Sequence, residues 1–211
     1  MARPGVIETQ ADLDRAAQAL AAQAPELRAL IAELSPLPLR RNGGGFAALL
    51  SAIVGQQVST ASARAIWARL HTGGLTTEAA VAKADENTLR GYGLSRPKAR
   101  YAQALACAGV DWAALPSLPN GEVLARLTAV PGVGPWTAQI YLLQSLGRAD
   151  VFPDADLALQ EAARRALGLA DRPKAAEMAR IAQAWSPYRA VAARALWAYY
   201  RAETGREGAS P

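Results

Sequence analysis

The sequence predicts an all-α fold arranged as two helical lobes. Ala, Leu and Arg dominate the composition, and aromatics are only 6% of the chain although 51% of it is hydrophobic. Most of these residues lose little freedom in a helix. Apolar side chains return every three or four positions in segment after segment, the spacing of helices that bury one face. Pro, Gly and Ser punctuate the segments, and no run alternates as a half-buried strand would. A chain of 211 residues can build one or two lobes with real cores.

Taken in order, residues 1 to about 8 read as a frayed end. Thr9 caps a helix to about Ala24 that carries Leu13, Ala16, Ala17 and Leu20 on one side. Pro25 opens a second helix to Leu34, and Ser35-Pro36-Leu37-Pro38 breaks it. The loop Arg40-Arg41-Asn42-Gly43-Gly44-Gly45 leads into an apolar helix over 46–57, with Phe46, Leu49, Leu50, Ile53 and Val54 on one face. Gln56 and Gln57 end it, and Ser59 or Thr60 caps the next helix, to about Leu70. Short helices follow over 77–83 and 85–92, then one from Gly93-Leu94-Ser95-Arg96-Pro97-Lys98 to about Ala108. A helical turn covers 111–115, a linker 116–119, and Asn120 caps a helix over 121–127. Later helices occupy 157–167, 174–185 and 188–200, separated by Gly168, Pro173 and Ser186-Pro187. The polar tail from Glu203 onward is expected to be disordered.

Between these lies the stretch around which the chain is organised, LTAVPGVGPWTAQIYLLQSLGRADVFPDADLALQ from Leu127 to Gln160. It reads as helix end, tight turn, helix, loop, and a carboxylate at the start of another helix. Gly132 and Gly134 let backbone approach a ligand with no Cβ in the way. Pro135 suits a first helical turn, where its missing N–H costs nothing. The free N–H groups of Gly132, Gly134 and the next turn then form a place for an anion, such as one phosphate of a nucleic acid. PGVG alone fits an ordinary helix–turn–helix connection equally well.

Charge is consistent with a polyanionic partner. The net charge is +5, and the acid-free segments 34–77 and 87–110 carry Arg40, Arg41, Arg64, Arg69, Arg90, Arg96, Lys98 and Arg100. One Cys, Cys107, and one His, His71, make a structural zinc or an iron–sulfur cluster improbable, and a single Cys forms no internal disulfide. Cys107, among Ala and Leu, is expected in the core, and His71 near a helix C-terminus. No run spans a membrane and no signal pattern opens the chain, so a cytoplasmic location is expected, with the nucleoid in a bacterium or the nucleus in a eukaryote.

The pattern Leu127-x-x-Val130-Pro131-Gly132-Val133-Gly134-x-x-Thr137-Ala138, a loop and then Asp156 resembles the helix-hairpin-helix DNA glycosylases, and within them the 3-methyladenine DNA glycosylase II family. The likeness runs from about Phe46 to Tyr200 and includes the Gly-Leu-Ser-basic entry at 93–98. It implies a monofunctional enzyme of base excision repair that flips alkylated bases out of double-stranded DNA and hydrolyses the N-glycosidic bond. Asp156 takes the catalytic place, while Asp154 better suits an N-cap. Trp136 stands where relatives that also cut the backbone carry a Lys, so no Schiff base is expected. Trp197, Trp136, Ile140 and Tyr141 are implied as the base pocket, with Tyr141 one residue off the place where some relatives have a Tyr and Ile140 occupying it. Gly132, Val133, Gly134, Thr137, Gln56, Gln57, Ser59 and Lys98 are implied as DNA contacts, with Gln57 at the position that fills the gap left by the flipped nucleotide.

The resemblance places one lobe at 46–149, with the hairpin at about 120–146, and the other at 1–45 with 150–211. The active-site cleft is expected between them, with no additional N-terminal β-domain. No cofactor or side-chain metal ligand is implied, only a monovalent cation at hairpin carbonyls, and a monomer suffices. Arg189 is left between neutralising an acid and touching phosphate. Two alternatives share the hairpin: a DNA-binding module without catalysis, and a glycosylase with abasic-site lyase activity.

Overall fold

The computed structural model describes residues 5–205, and among them regular structure is helical throughout, with one isolated antiparallel bridge between Val6 and Arg148. No described helix is long and apolar enough to cross a membrane. The described residues divide into two compact units, 5–41 with 142–205, and 42–141. The boundaries expected at 45/46 and 149/150 therefore fall at 41/42 and 141/142. Hydrogen bonds explain the shift. Arg41 Nη1 donates to the carbonyls of Gln144 and Ser145, and Ala190 N to Ala149 O, which ties 142–149 to the first unit. Gly45 N donates to the Tyr141 hydroxyl, which ties the glycine loop to the second.

The first unit contains α1 (Gln10–Gln23), α2 (Pro25–Leu34), α10 (Leu157–Ala166), α11 (Ala175–Gln183) and α12 (Arg189–Thr204). The other four pack against α12. Its stretch from Ala190 to Ala198 is buried throughout and is mostly alanine, which lets neighbours approach closely. Thr9 and Asp12 close a reciprocal capping box at the start of α1, and Pro25 sits in the first turn of α2. Arg194 is fully buried on α12 and spends its guanidinium on carbonyls: Nε to Leu39 at 3.0 Å, Nη1 to Ala190 at 3.0 Å and Nη2 to Leu143 at 3.4 Å. Burial, with the nearby charges of Arg41 and Arg40, pushes its pKa down to about 9. Trp185 is buried, with Nε1 donating to Glu26 at 2.9 Å.

The second unit contains α3 (Phe46–Gly55), α4 (Thr60–Thr72), α5 (Glu78–Lys83), α6 (Glu86–Gly91), α7 (Arg96–Ala106), α8 (Asn120–Thr128) and α9 (Pro135–Ile140). Helix α3 packs on α4, α7 and α9, burying Phe46, Leu49, Leu50, Ile53 and Val54. Burying each such side chain contributes roughly 1.5–3 kcal/mol. Ser59, Thr77 and Asp85 side chains cap α4, α5 and α6. After α9 the chain widens into a π-helical turn over Tyr141–Ser145.

Several expectations are corrected. Residues 5–8 are anchored, not frayed: Ile7 is buried, Ile7 N donates to Gly147 O, and Ala149 N to Gly5 O. Positions 1–4 lie outside the described residues. The helix over 46–57 stops at Gly55, because Gln56 leaves helical geometry at ψ 130° and Gln57 then turns left-handed at φ 55°. Cys107 is exposed, since it caps the C-terminus of α7 on the side away from buried Leu105 and Ala106. Glu203 and Thr204 are helical, since α12 runs to Thr204 and ends on left-handed Gly205; 206–211 lie outside the described residues. Arg189 is paired, with Nε 2.6 Å from Asp150 Oδ1.

Glu161 on α10 accepts from Arg164 and Arg165, and these bonds, Arg164's first, hold its carboxyl at about 2 against an ordinary 4.5. A folded pKa below the unfolded one adds stability above the unfolded value that is lost as pH falls through the folded one. Glu161→Gln is therefore expected to lower the melting temperature at neutral pH. The gap should close as pH falls from about 4.5 toward about 2, as melting curves across that window will show.

Candidate active site

In the second unit, α8, the turn 129–134 and α9 form a helical hairpin. Gly132 adopts φ 87°, a left-handed conformation, and a Cβ there would stand 2.2 Å from Tyr101 Cγ. Only glycine fits, because the Tyr101 ring lies against the turn. Val133 N donates to Val130 O at 3.0 Å, closing the turn, and the Val133 side chain is buried. The amides of Gly132 and Gly134 donate to no described residue. Val133 is thus a structural member of the turn, and the two glycines are its available donors.

Gln56, Gln57, Lys98, Gly132, Val133 and Gly134 meet along one cavity of about 630 Å³, together with Ser95 and Tyr101. The two glutamines face opposite ways. Gln56 Nε2 donates inward to Gly132 O at 3.0 Å and Thr137 Oγ1 at 3.2 Å, while Gln57 is exposed. Exposed Val58 follows it. Thr137 is buried with its hydroxyl engaged, and Lys98 is 8% exposed with Nζ donating to Val54 O at 2.7 Å. Both side chains bond within the protein, Thr137 to Gln56 and Lys98 to the backbone of α3. Burial pushes the Lys98 pKa down. Ser59 lies outside the cavity lining, where its hydroxyl caps α4 by accepting from Ser62 N. Two carbonyls of the turn already accept hydrogen bonds, Val130 O from Val133 N and Gly132 O from Gln56 Nε2.

Of the implied pocket residues in this unit, Trp136 is half-buried on α9, while Ile140 and Tyr141 are buried. The Tyr141 ring lies tilted 6.1 Å from that of Trp112, which meets Phe46 edge to face at 6.5 Å and whose Nε1 donates to Glu78. Burial raises the Tyr141 pKa. Tyr141 is a core residue anchored to Gly45, and its ring offers no free face.

In the first unit, Asp156 is 5% exposed and is itself the N-cap of α10: Oδ1 accepts from Ala158 N at 2.9 Å and Leu159 N at 3.0 Å. The cap expected of Asp154 belongs to Asp156, because the chain enters the helix only at Leu157. Capping fixes the orientation of this carboxylate. Leu157, next to it, is 63% exposed, an apolar surface beside a buried acid. Trp197 is fully buried, and its Nε1 has no hydrogen-bond partner among the described residues. Expected as a pocket wall, it presents no surface in this structure, and its ring faces a ligand only if neighbours move.

Sequence reasoning missed Tyr101, Trp112 and Leu157. Tyr101 was within reach of it: Lys98 and Tyr101 are three apart on α7 and share a face. Nothing local marks Trp112, whose partners are distant in sequence.

Residues 50–187 match the family model of the HhH-GPD superfamily base excision DNA repair protein. The chain is 33% identical over 121 residues to the putative DNA-3-methyladenine glycosylase YfjP of Bacillus subtilis, covering 56% of this chain and 42% of that one. It is 28% identical over 160 residues to the alkylbase DNA glycosidase-like protein mag2 of Schizosaccharomyces pombe, covering 71% and 75%. This chain therefore spans under half of YfjP but three quarters of mag2. Its fold is that of the S. pombe 3-methyladenine DNA glycosylase Mag1 in complex with abasic DNA, at TM-score 0.78, 24% identity and coverage of 89% and 95%. A DNA-3-methyladenine glycosidase from Bacillus halodurans aligns at TM-score 0.76 and 28% identity, over 90% of each chain. The match to more than half of its length by the family model makes this chain a member of the HhH-GPD superfamily of base excision DNA repair proteins.

Proposed function

We propose that the chain is a monofunctional DNA glycosylase that removes alkylated purines of the 3-methyladenine type from duplex DNA. The observation that carries this reading is Asp156, a buried carboxylate held in one orientation by two helix amides. The names of YfjP, mag2 and the B. halodurans enzyme, glycosylases or glycosidases of alkylated bases, agree with it.

In this reading the amides of Gly132 and Gly134 grip a backbone phosphate. Gln57, turned outward in a left-handed conformation beside exposed Val58, enters the space vacated by the flipped nucleotide. Asp156 stands by the deoxyribose and stabilises the oxocarbenium character that develops as the N-glycosidic bond breaks. The bonding electron pair leaves with the base, neutralising a ring that alkylation had made cationic, so no strong general acid is needed. Water forms the new bond to C1′, and its proton passes to Asp156 or to solvent. Half-buried Trp136 offers aromatic surface to the base; an aromatic face against a cationic base contributes roughly 0.5–2 kcal/mol. The enzyme acts as a monomer in whichever compartment holds the DNA.

Asp156→Asn keeps a good N-cap and should leave stability within about 0.5 kcal/mol. It should slow base release from methylated duplex DNA about 100-fold or more, a loss of roughly 3 kcal/mol of transition-state stabilisation. Asp156→Ala should lose the activity and also about 1 kcal/mol of stability. Release that is unchanged in Asp156→Asn would refute the reading. With Trp136 at the place of a lyase lysine, borohydride treatment during turnover should trap no covalent protein–DNA adduct. A trapped adduct would show a lyase.

A further inference from the structure

The junction between α3 and α4 ties the hairpin turn to the residue proposed to fill the DNA gap. Gln56 and Gln57 are neighbours, yet one amide points in and the other out. Gln56 has extended ψ at 130° and sends Nε2 to the carbonyl of Gly132 and the hydroxyl of Thr137. Gln57 then reverses at φ 55° and is exposed. The junction is pinned at both ends: Lys98 Nζ holds Val54 O near the C-terminus of α3, and Ser59 caps α4. Gly132 is pinned as well, since the Tyr101 ring lies against its Cα while Gln56 holds its carbonyl.

A side-chain amide that donates at once to a turn carbonyl and a helix hydroxyl fixes three backbone segments against one another. Displacing the turn would break both bonds, and displacing Gln56 would drag Gln57 with it. We infer that Gln56 is a positioning residue that makes the phosphate grip at Gly132 and Gly134 and the gap-filling side chain of Gln57 one preorganised unit. This rests on the gap-filling role proposed for Gln57. Gln56 acts through the turn and through Gln57. Its function is to have Gln57 at the correct height above the strand when the phosphate is seated, so that the nucleotide is expelled without a separate ordering step.

The test uses a duplex with an abasic-site analogue and 2-aminopurine opposite it, whose fluorescence reports stacking in the gap. Wild type should change the fluorescence on binding, and Gln57→Ala should not. Gln56→Leu keeps side-chain bulk but removes the donor. It should lose the fluorescence change although Gln57 is present, and lose about tenfold in affinity. Thr137→Val, which removes one acceptor, should shift both readouts in the same direction, and Thr137→Ser should restore them; this pair serves if Gln56→Leu does not fold. A Gln56→Leu protein with a wild-type melting temperature that keeps the fluorescence change and binds within twofold of wild type would overturn the coupling. A wild type that releases methylated bases but gives no fluorescence change would overturn the gap-filling role and the coupling with it, leaving the glycosylase reading standing.

Discussion

The constraint on which the second unit's site depends is the absence of a side chain at Gly132. With φ at 87° and the Tyr101 ring where a Cβ would be, no other residue holds this turn. The glycine lets aromatic surface pack on backbone, and that packing leaves two neighbouring amides with no internal acceptor. Polar groups left in that state are stable at a surface only if water or a ligand takes them. A phosphate oxygen meets the need, and DNA offers a row of them.

The other half of the chemistry is also a capping problem. A helix start needs acceptors for its first amides, and an aspartate that supplies one becomes rigid in return. Asp156 is fixed by Ala158 and Leu159 in this way. Structural and catalytic readings of such a residue are usually set against each other, but here the cap is what would aim the acid. The same economy appears at Gln56 and Lys98, polar side chains near the hairpin whose bonds go to backbone and hydroxyl groups of the protein itself.

Much of the fold was legible in the sequence because helices announce themselves locally. Thr9, Pro25, Ser59 and Gly134-Pro135 mark starts by chemistry that involves only a few neighbouring residues. Elements that depend on distant partners were not legible. The N-terminal segment looked frayed because its anchors, Gly147 and Ala149, are far along the chain. Cys107 looked buried from its neighbours, yet it falls on the outer side of a helix end. The motif picks out candidate site residues, but not the way each of them faces. Spacing alone does not say that Gln56 and Thr137 face each other while Gln57 faces solvent, or that the Trp197 ring is wholly covered.

The most direct test of this account is the affinity of Gly132→Ala for duplex DNA with an abasic site, measured beside wild type at matched salt and with the fold checked by circular dichroism. A methyl group at this position must displace Tyr101 or the turn. The account predicts a folded protein whose affinity falls at least about tenfold, the cost of one lost charge-assisted contact, roughly 1.4 kcal/mol or more. A folded Gly132→Ala protein that binds as tightly as wild type would contradict it.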